Sequence, residues 1–151
     1  MLPTENLIQE HKTIIEILNI TNKIAENIKQ KKVFYTMDIE KIVDFLTGFW
    51  DKCHNEKEEK ALYPELISSR IQIEDNSIAG ISNEHAMGRI YIKEMSYSIV
   101  NCKMGNPFSC EKLADCLINY SNLLRSHIQK EEEVLFPIIN QTLTDKKQRE
   151  I

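Results

Sequence analysis

The chain has 151 residues, a length that suits one domain with a core large enough to fold without staples. Its four glycines and four prolines fall well below average usage, which argues against turn-rich β architectures, collagen-like repeats and low-complexity disorder. A net charge of −4, from 19 basic and 23 acidic residues interspersed along the chain, offers no basic field for nucleic acid and no polybasic anchor for a membrane.

The opening residues lack the basic and long apolar regions of a signal peptide, and no run of ~18 apolar residues follows, so a cytoplasmic location is expected. Apolar residues then recur at three- and four-residue spacing in four long segments separated by short breaks, the pattern of an all-α, up-down-up-down antiparallel four-helix bundle. The first segment runs from about Thr4 to Lys31 through Leu7, His11, Ile14, Leu18 and Ile28, with Thr4 as its expected cap. The second runs from about Met37 to Ser68 through Ile42, Phe45, Phe49, Trp50, His54, Glu58 and Leu62. The third, about Asp75 to Lys103, carries Ile78, Ile81, His85, Ile92, Met95 and Ile99. The fourth opens after Pro107, with Ser109 as its expected cap, and continues through Leu117, Tyr120, Leu124, His127, Glu131 and Leu135. Pro64 and Pro137 each remove an N–H and oppose the carbonyl four residues earlier, so they should kink or end their helices. Cys53, Cys102, Cys110 and Cys116 form no CxxC pair and read as free thiols, Cys53 packed beside His54; Cys102 and Cys110 flank one loop and can approach each other.

The two halves, about 1–73 and 74–151, repeat. H-N-E-K-E-E-K-A-L-Y-P at 54–64 and H-I-Q-K-E-E-E-V-L-F-P at 127–137 share H-x3-E-E-x2-L-[YF]-P at a displacement of 73, and Glu10-His11 recurs as Glu84-His85 at 74. All four histidines of the chain belong to this pattern, one per helix. His54 and Glu58, like His127 and Glu131, are four apart and project from one helical face. Six such side chains meeting in an apolar bundle bury two carboxylate charges, which is costly unless a cation compensates them. Imidazole suits iron, copper, zinc and nickel, and a carboxylate can bridge two ions. Two histidines and two shared carboxylates per ion give four protein donors, leaving an octahedral iron about two open positions.

At these residues the sequence resembles the hemerythrin-like, or HHE cation-binding, family, from about Leu7 to Pro137. The resemblance implies a four-helix bundle around a non-haem di-iron centre with ligands His11, His54, Glu58, His85, His127 and Glu131, the two glutamates bridging. It implies two iron ions bridged by oxo or hydroxo; a structural zinc or manganese site is the lesser alternative, because ligand type does not by itself fix the metal. Oxygen carriers of the family have a fifth histidine where this chain has Arg89, and place the last carboxylate one residue later, at Glu132; the internal repeat favours Glu131. The four-His, two-Glu set is closer to the iron-sensing and iron–sulfur-cluster-repair branches. Arg89 then either bonds an anionic ligand at the opened position or points to solvent.

The function expected is therefore binding, sensing or reduction of a small oxidant, namely dioxygen, peroxide or nitric oxide, with an electron donor if the protein is a reductase. The alternative is a non-enzymatic iron store, donor or regulator that meets a partner protein. Glu59 and Glu133 read as surface charges. Glu10 and Glu84 read as exposed neighbours of ligands, or, if turned inward, as acceptors behind them or as further metal ligands. Tyr63, Phe136, Trp50 and Tyr120 read as core aromatics that wall the site.

Overall fold

The computed structural model describes residues 1–69 and 76–151. Among these the chain is all-α, with no strand. Helix α1 is Pro3–Lys29. Helix α2 spans 36–68 without a break: Thr36–Phe45 is α-helical, Leu46–Asn55 and Glu58–Leu62 are wound as π-helix, and Tyr63–Ser68 returns to α. Helix α3 is Asn76–Lys103; the expected start at Asp75 lies outside the described residues. Helix α4 spans 107–142 as Pro107–Lys130, a π-wound Glu131–Leu135 and Phe136–Thr142, and a short α5, Asp145–Glu150, closes the chain.

The buried stripe of α1, through Leu7, His11, Ile14, Leu18, Ala25 and Ile28, follows the helical period and turns one face inward. Two expected caps are displaced. Thr4 sits inside α1, buried, and its hydroxyl donates to Asn140 Oδ1 at 2.8 Å, so it ties α1 to the end of α4; Glu5 Oε2 instead accepts the Leu2 N–H at 2.8 Å. Asn106, not Ser109, caps α4: its Oδ1 accepts the N–H groups of Phe108 at 3.0 Å and Ser109 at 3.4 Å, and Pro107 fills the first helical position, where no N–H is needed. Gly105, at φ 85°, turns the chain between α3 and α4 in a conformation that side chains with a Cβ disfavour. That turn brings Cys102 and Cys110 to a Cα separation of 4.8 Å, where they form a disulfide, so the expectation of free thiols fails for this pair. Cys116 is free and buried, whereas Cys53 is free and exposed rather than packed, since the residue beside an inward-facing His54 is carried around the helix toward solvent.

The prolines neither end α2 nor end α4. Each follows a π-wound stretch, 58–62 before Pro64 and 131–135 before Pro137, and begins the first turn of the α segment beyond it. The wider i→i+5 turn dispenses with the bond a proline cannot make and relieves the clash with the carbonyl four residues earlier.

Helix α1 packs on α2 and α4, and α3 packs on α2 and α4, so the four long helices form a closed ring of neighbours. The core falls into two clusters, one around Ile14, Trp50, Met95 and Leu124 and one around Leu7, Leu62, Ile81 and Leu135. Helices α1 and α3 run from the second cluster to the first; α2 and α4 run the opposite way. Between the clusters each long helix carries one histidine.

Candidate metal centre

His11, His54, Glu58, His85, His127 and Glu131 meet in this middle layer, each 3 % exposed or less. They form two groups of potential donors, His11–His54–Glu58–Glu131 and His85–His127–Glu58–Glu131, in each of which the ligand atoms lie within 4.8 Å of one another. The carboxylates belong to both groups through different oxygens. In the first half, Glu58 Oε1 is 3.1 Å from His54 Nε2 and Glu131 Oε2 is 3.2 Å from His11 Nε2. In the second, Glu58 Oε2 is 3.2 Å from His85 Nε2 and Glu131 Oε1 is 3.3 Å from His127 Nε2. One oxygen toward each half is the disposition of a bridging carboxylate. Glu131, the choice favoured by the internal repeat, turns inward, whereas Glu132 lies behind His11.

Every imidazole is oriented by an acid on another helix. Nδ1 of His11 donates to Glu132 at 2.8 Å, that of His54 to Glu10 at 2.7 Å, that of His85 to Glu59 at 2.7 Å and that of His127 to Glu84 at 2.9 Å. Glu10 is held in turn by Lys57, Glu84 by Lys130, and Glu59 by Arg89 Nη2 at 3.0 Å. Three expectations are corrected here. Glu59 is no mere surface charge, Glu10 and Glu84 are not idle exposed neighbours, and Arg89 does not point freely to solvent: it clamps Asp51, at 2.8 Å, and Glu59 together. Glu133 is exposed, as expected. The repeat carried a signal for these acids, because Lys57 and Glu59 recur as Lys130 and Glu132 at the same displacement of 73 as the histidines of α2 and α4.

With each Nδ1 proton committed to a carboxylate, Nε2 of each ring is left as a donor atom facing inward. His11 Nε2 and His54 Nε2 stand 3.1 Å apart, as do His85 Nε2 and His127 Nε2, so two lone pairs face each other in each half unless a cation or a proton separates them. Burial works against charge on these rings, but the bonds and charges of Glu10 and Glu58 raise His54 to about 9, and those of Glu131 and Glu84 raise His127 to about 10. Burial also opposes charge on Glu131, yet the bonds from His11 and His127 hold it well below the ordinary carboxylate range. Without metal, His54 and His127, one in each histidine pair, therefore favour their charged forms. Each group offers donors that suit a cation, and among the described residues Glu58 Oε1 and Glu131 Oε2 have no hydrogen-bond partner of their own.

The halves differ despite the repeat. Phe136 stacks on His11 at 5.6 Å, and Tyr63, its counterpart, lies over His85 at 6.1 Å. The Tyr63 hydroxyl is 2.8 Å from Glu131 Oε1 and 3.0 Å from Glu58 Oε2, sharing one proton between the two oxygens that face the second half. Burial and the two carboxylates push this phenol far above its ordinary range, so it remains a donor. Trp50 stacks on His54 at 4.2 Å and lies edge-on to His127 at 6.0 Å, between the two halves. Beside the second half lies a small cavity of about 10 Å³ whose lining includes His85, His127, Gly88 and Arg89.

The sequence model of the family described as hemerythrin HHE cation binding domain matches residues 2–139. Comparisons with curated proteins and with solved structures returned no match. No helix among the described residues is long and apolar enough to cross a membrane.

Proposed function

Because this chain belongs to the hemerythrin family of HHE cation-binding domains, we propose that its four long helices form an up-down-up-down bundle around two iron ions, and that this centre binds, senses or reduces a small oxidant. His11 and His54 hold one ion, His85 and His127 the other, and Glu58 and Glu131 bridge them. The observation that carries the reading is the convergence of four inward Nε2 atoms on two carboxylates that each turn one oxygen to each half. Iron in this position supplies reversible one-electron chemistry and open coordination positions. The chain supplies the rest: Glu10, Glu59, Glu84 and Glu132 fix the imidazole tautomers, Tyr63 distinguishes the halves, Phe136 keeps water from the first, and Trp50 stands between the two.

The cavity lies beside His85 and His127, so the oxidant enters at that half, and one atom of dioxygen, peroxide or nitric oxide matches its size. An iron store or donor needs a path by which metal leaves, and six side chains at 3 % exposure or less disfavour one. Metal analysis of protein purified from its native host tests the assignment, the expected content being two irons per chain; zinc or manganese instead, or less than one metal per chain, sinks it. Rapid mixing of the reduced protein with peroxide and an external reductant then separates the classes. Many turnovers mark a reductase, one stoichiometric event a sensor, and metal loss a donor.

A further inference from the structure

Two buried polar atoms beside the second half stand outside the histidine–acid network. Tyr120 is fully buried, and its hydroxyl has no hydrogen-bond partner among the described residues. Asn55, 2 % exposed, donates from Nδ2 to Asp51 Oδ1 at 3.4 Å, and its Oδ1 likewise has no partner there. A carboxylate only accepts, so Nδ2 is the end that faces Asp51 and Oδ1 is the end left free. Both residues line the cavity of about 10 Å³ that touches His85 and His127. A space of that size admits one oxygen-sized group, so a two-atom ligand places one atom in it and the other toward the His85–His127 half. Unpartnered buried polar atoms are destabilising and uncommon, and two of them on residues that line one cavity beside a candidate metal half call for an occupant.

The two atoms ask for different things. Burial, with the nearby Asp51 charge, keeps the Tyr120 phenol protonated, so it serves as a donor. Asn55 Oδ1 can only accept. An occupant that satisfies both must carry a lone pair and an O–H. Dioxygen and nitric oxide have no hydrogen and would leave Asn55 Oδ1 unpaired; hydrogen peroxide has both features. A site built around a substrate hydroxyl discriminates strongly against analogues that lack it.

We propose that Tyr120 and Asn55 make this cavity a peroxide-selecting pocket, Tyr120 donating to the ligand and Asn55 Oδ1 accepting from it. The inference rests on reading the centre as one that binds an oxidant at the His85–His127 half. Neither residue hydrogen-bonds a donor atom of that centre, so both act on the ligand, not on the metal.

The test compares iron-loaded wild type, Tyr120→Phe and Asn55→Leu in rapid mixing with hydrogen peroxide and, separately, with nitric oxide. Each variant should keep two irons, react with peroxide about 10-fold more slowly, and bind nitric oxide within about twofold of wild type. Metal-free protein gives a readout independent of iron: Tyr120→Phe deletes an unpartnered hydroxyl and should melt about 2–4 °C higher. A buried structural water as sole occupant predicts a lower melting temperature and an unchanged ratio of peroxide to nitric oxide rates, and that result overturns the pocket. An unchanged ratio in both variants overturns it whatever the melting temperatures. Wild type that holds two irons and reacts with neither probe removes the oxidant-binding reading, and the pocket with it.

Discussion

His11 and His54 turn their Nε2 atoms toward each other across 3.1 Å, while their Nδ1 atoms donate to Glu132 and Glu10. His85 and His127 repeat the arrangement in the other half of the site. A pair of imidazoles so placed shares either a proton or a cation, and the choice between them is what couples this site to pH.

The extra protons belong to His54 and His127, raised to about 9 and about 10 from an ordinary 6.5. A raised folded-state value means that the stability these protons contribute is fully present below pH 6.5 and is lost as pH rises through 9 to 10. The melting temperature of metal-free protein should therefore fall between pH 7 and 10. Loading with two divalent ions at pH 7 should release about two protons, measured by titration calorimetry in buffers of different ionisation enthalpy. No proton release at pH 7 would show that the pairs are not protonated.

The three acids Glu58, Glu131 and Glu132 separate by what they touch. Glu58→Ala and Glu131→Ala each remove an oxygen from both halves and should leave less than about one metal per chain by elemental analysis. Glu132→Ala removes only the acceptor behind His11 and should keep both metals at an affinity about 10- to 100-fold lower. The reverse ranking of Glu131 and Glu132 would make Glu132 the bridge.

Tyr63→Phe abolishes the donor to Glu131 Oε1 and Glu58 Oε2 and renders the second half like the first, where Phe136 already stands. A hydrogen bond to a buried carboxylate contributes about 1.5–3 kcal/mol, so metal-free Tyr63→Phe should lose about that much by chemical denaturation. In iron-loaded protein the Mössbauer signals of the two irons should move closer together; two signals as distinct as in wild type would place the source of asymmetry elsewhere.

The Cys102–Cys110 disulfide closes a short loop over the α3–α4 turn. Loop-closure entropy for a span of 8 residues predicts about 2–3 kcal/mol of stabilisation. Cys102→Ser should lower the melting temperature accordingly and leave metal content unchanged, since neither cysteine belongs to the six-residue centre. Loss of metal in this variant would tie the loop to the site.

The six inward side chains are legible in the amino-acid order because a helix of 3.6 residues per turn places His54 with Glu58, and His127 with Glu131, on one face, and the repeat supplies His11 and His85 in phase with them. The acids behind them are harder to read. Lys57-Glu58-Glu59 resembles an ordinary solvated run, and Glu59 points away from the face of Glu58; only the approach of α3 brings it to His85 Nδ1. Thr4 and Ser109 are good caps in isolation, but Thr4 finds Asn140 136 residues away and Ser109 yields to Asn106, already placed at the turn.

Spacing along single helices, together with an internal repeat, suffices for the helical class, the order of the long helices and the identity of the converging set. Which acid orients which imidazole is a matter of packing, as are the inequality that Tyr63 and Phe136 give the halves, the clamp of Arg89 on Asp51 and Glu59, and the meeting of Tyr120 and Asn55 at one cavity. The histidine–acid pairs join residues on different helices, 26 to 121 positions apart. Helical periodicity says which way a side chain points, but the packing of one helix on another decides what it meets.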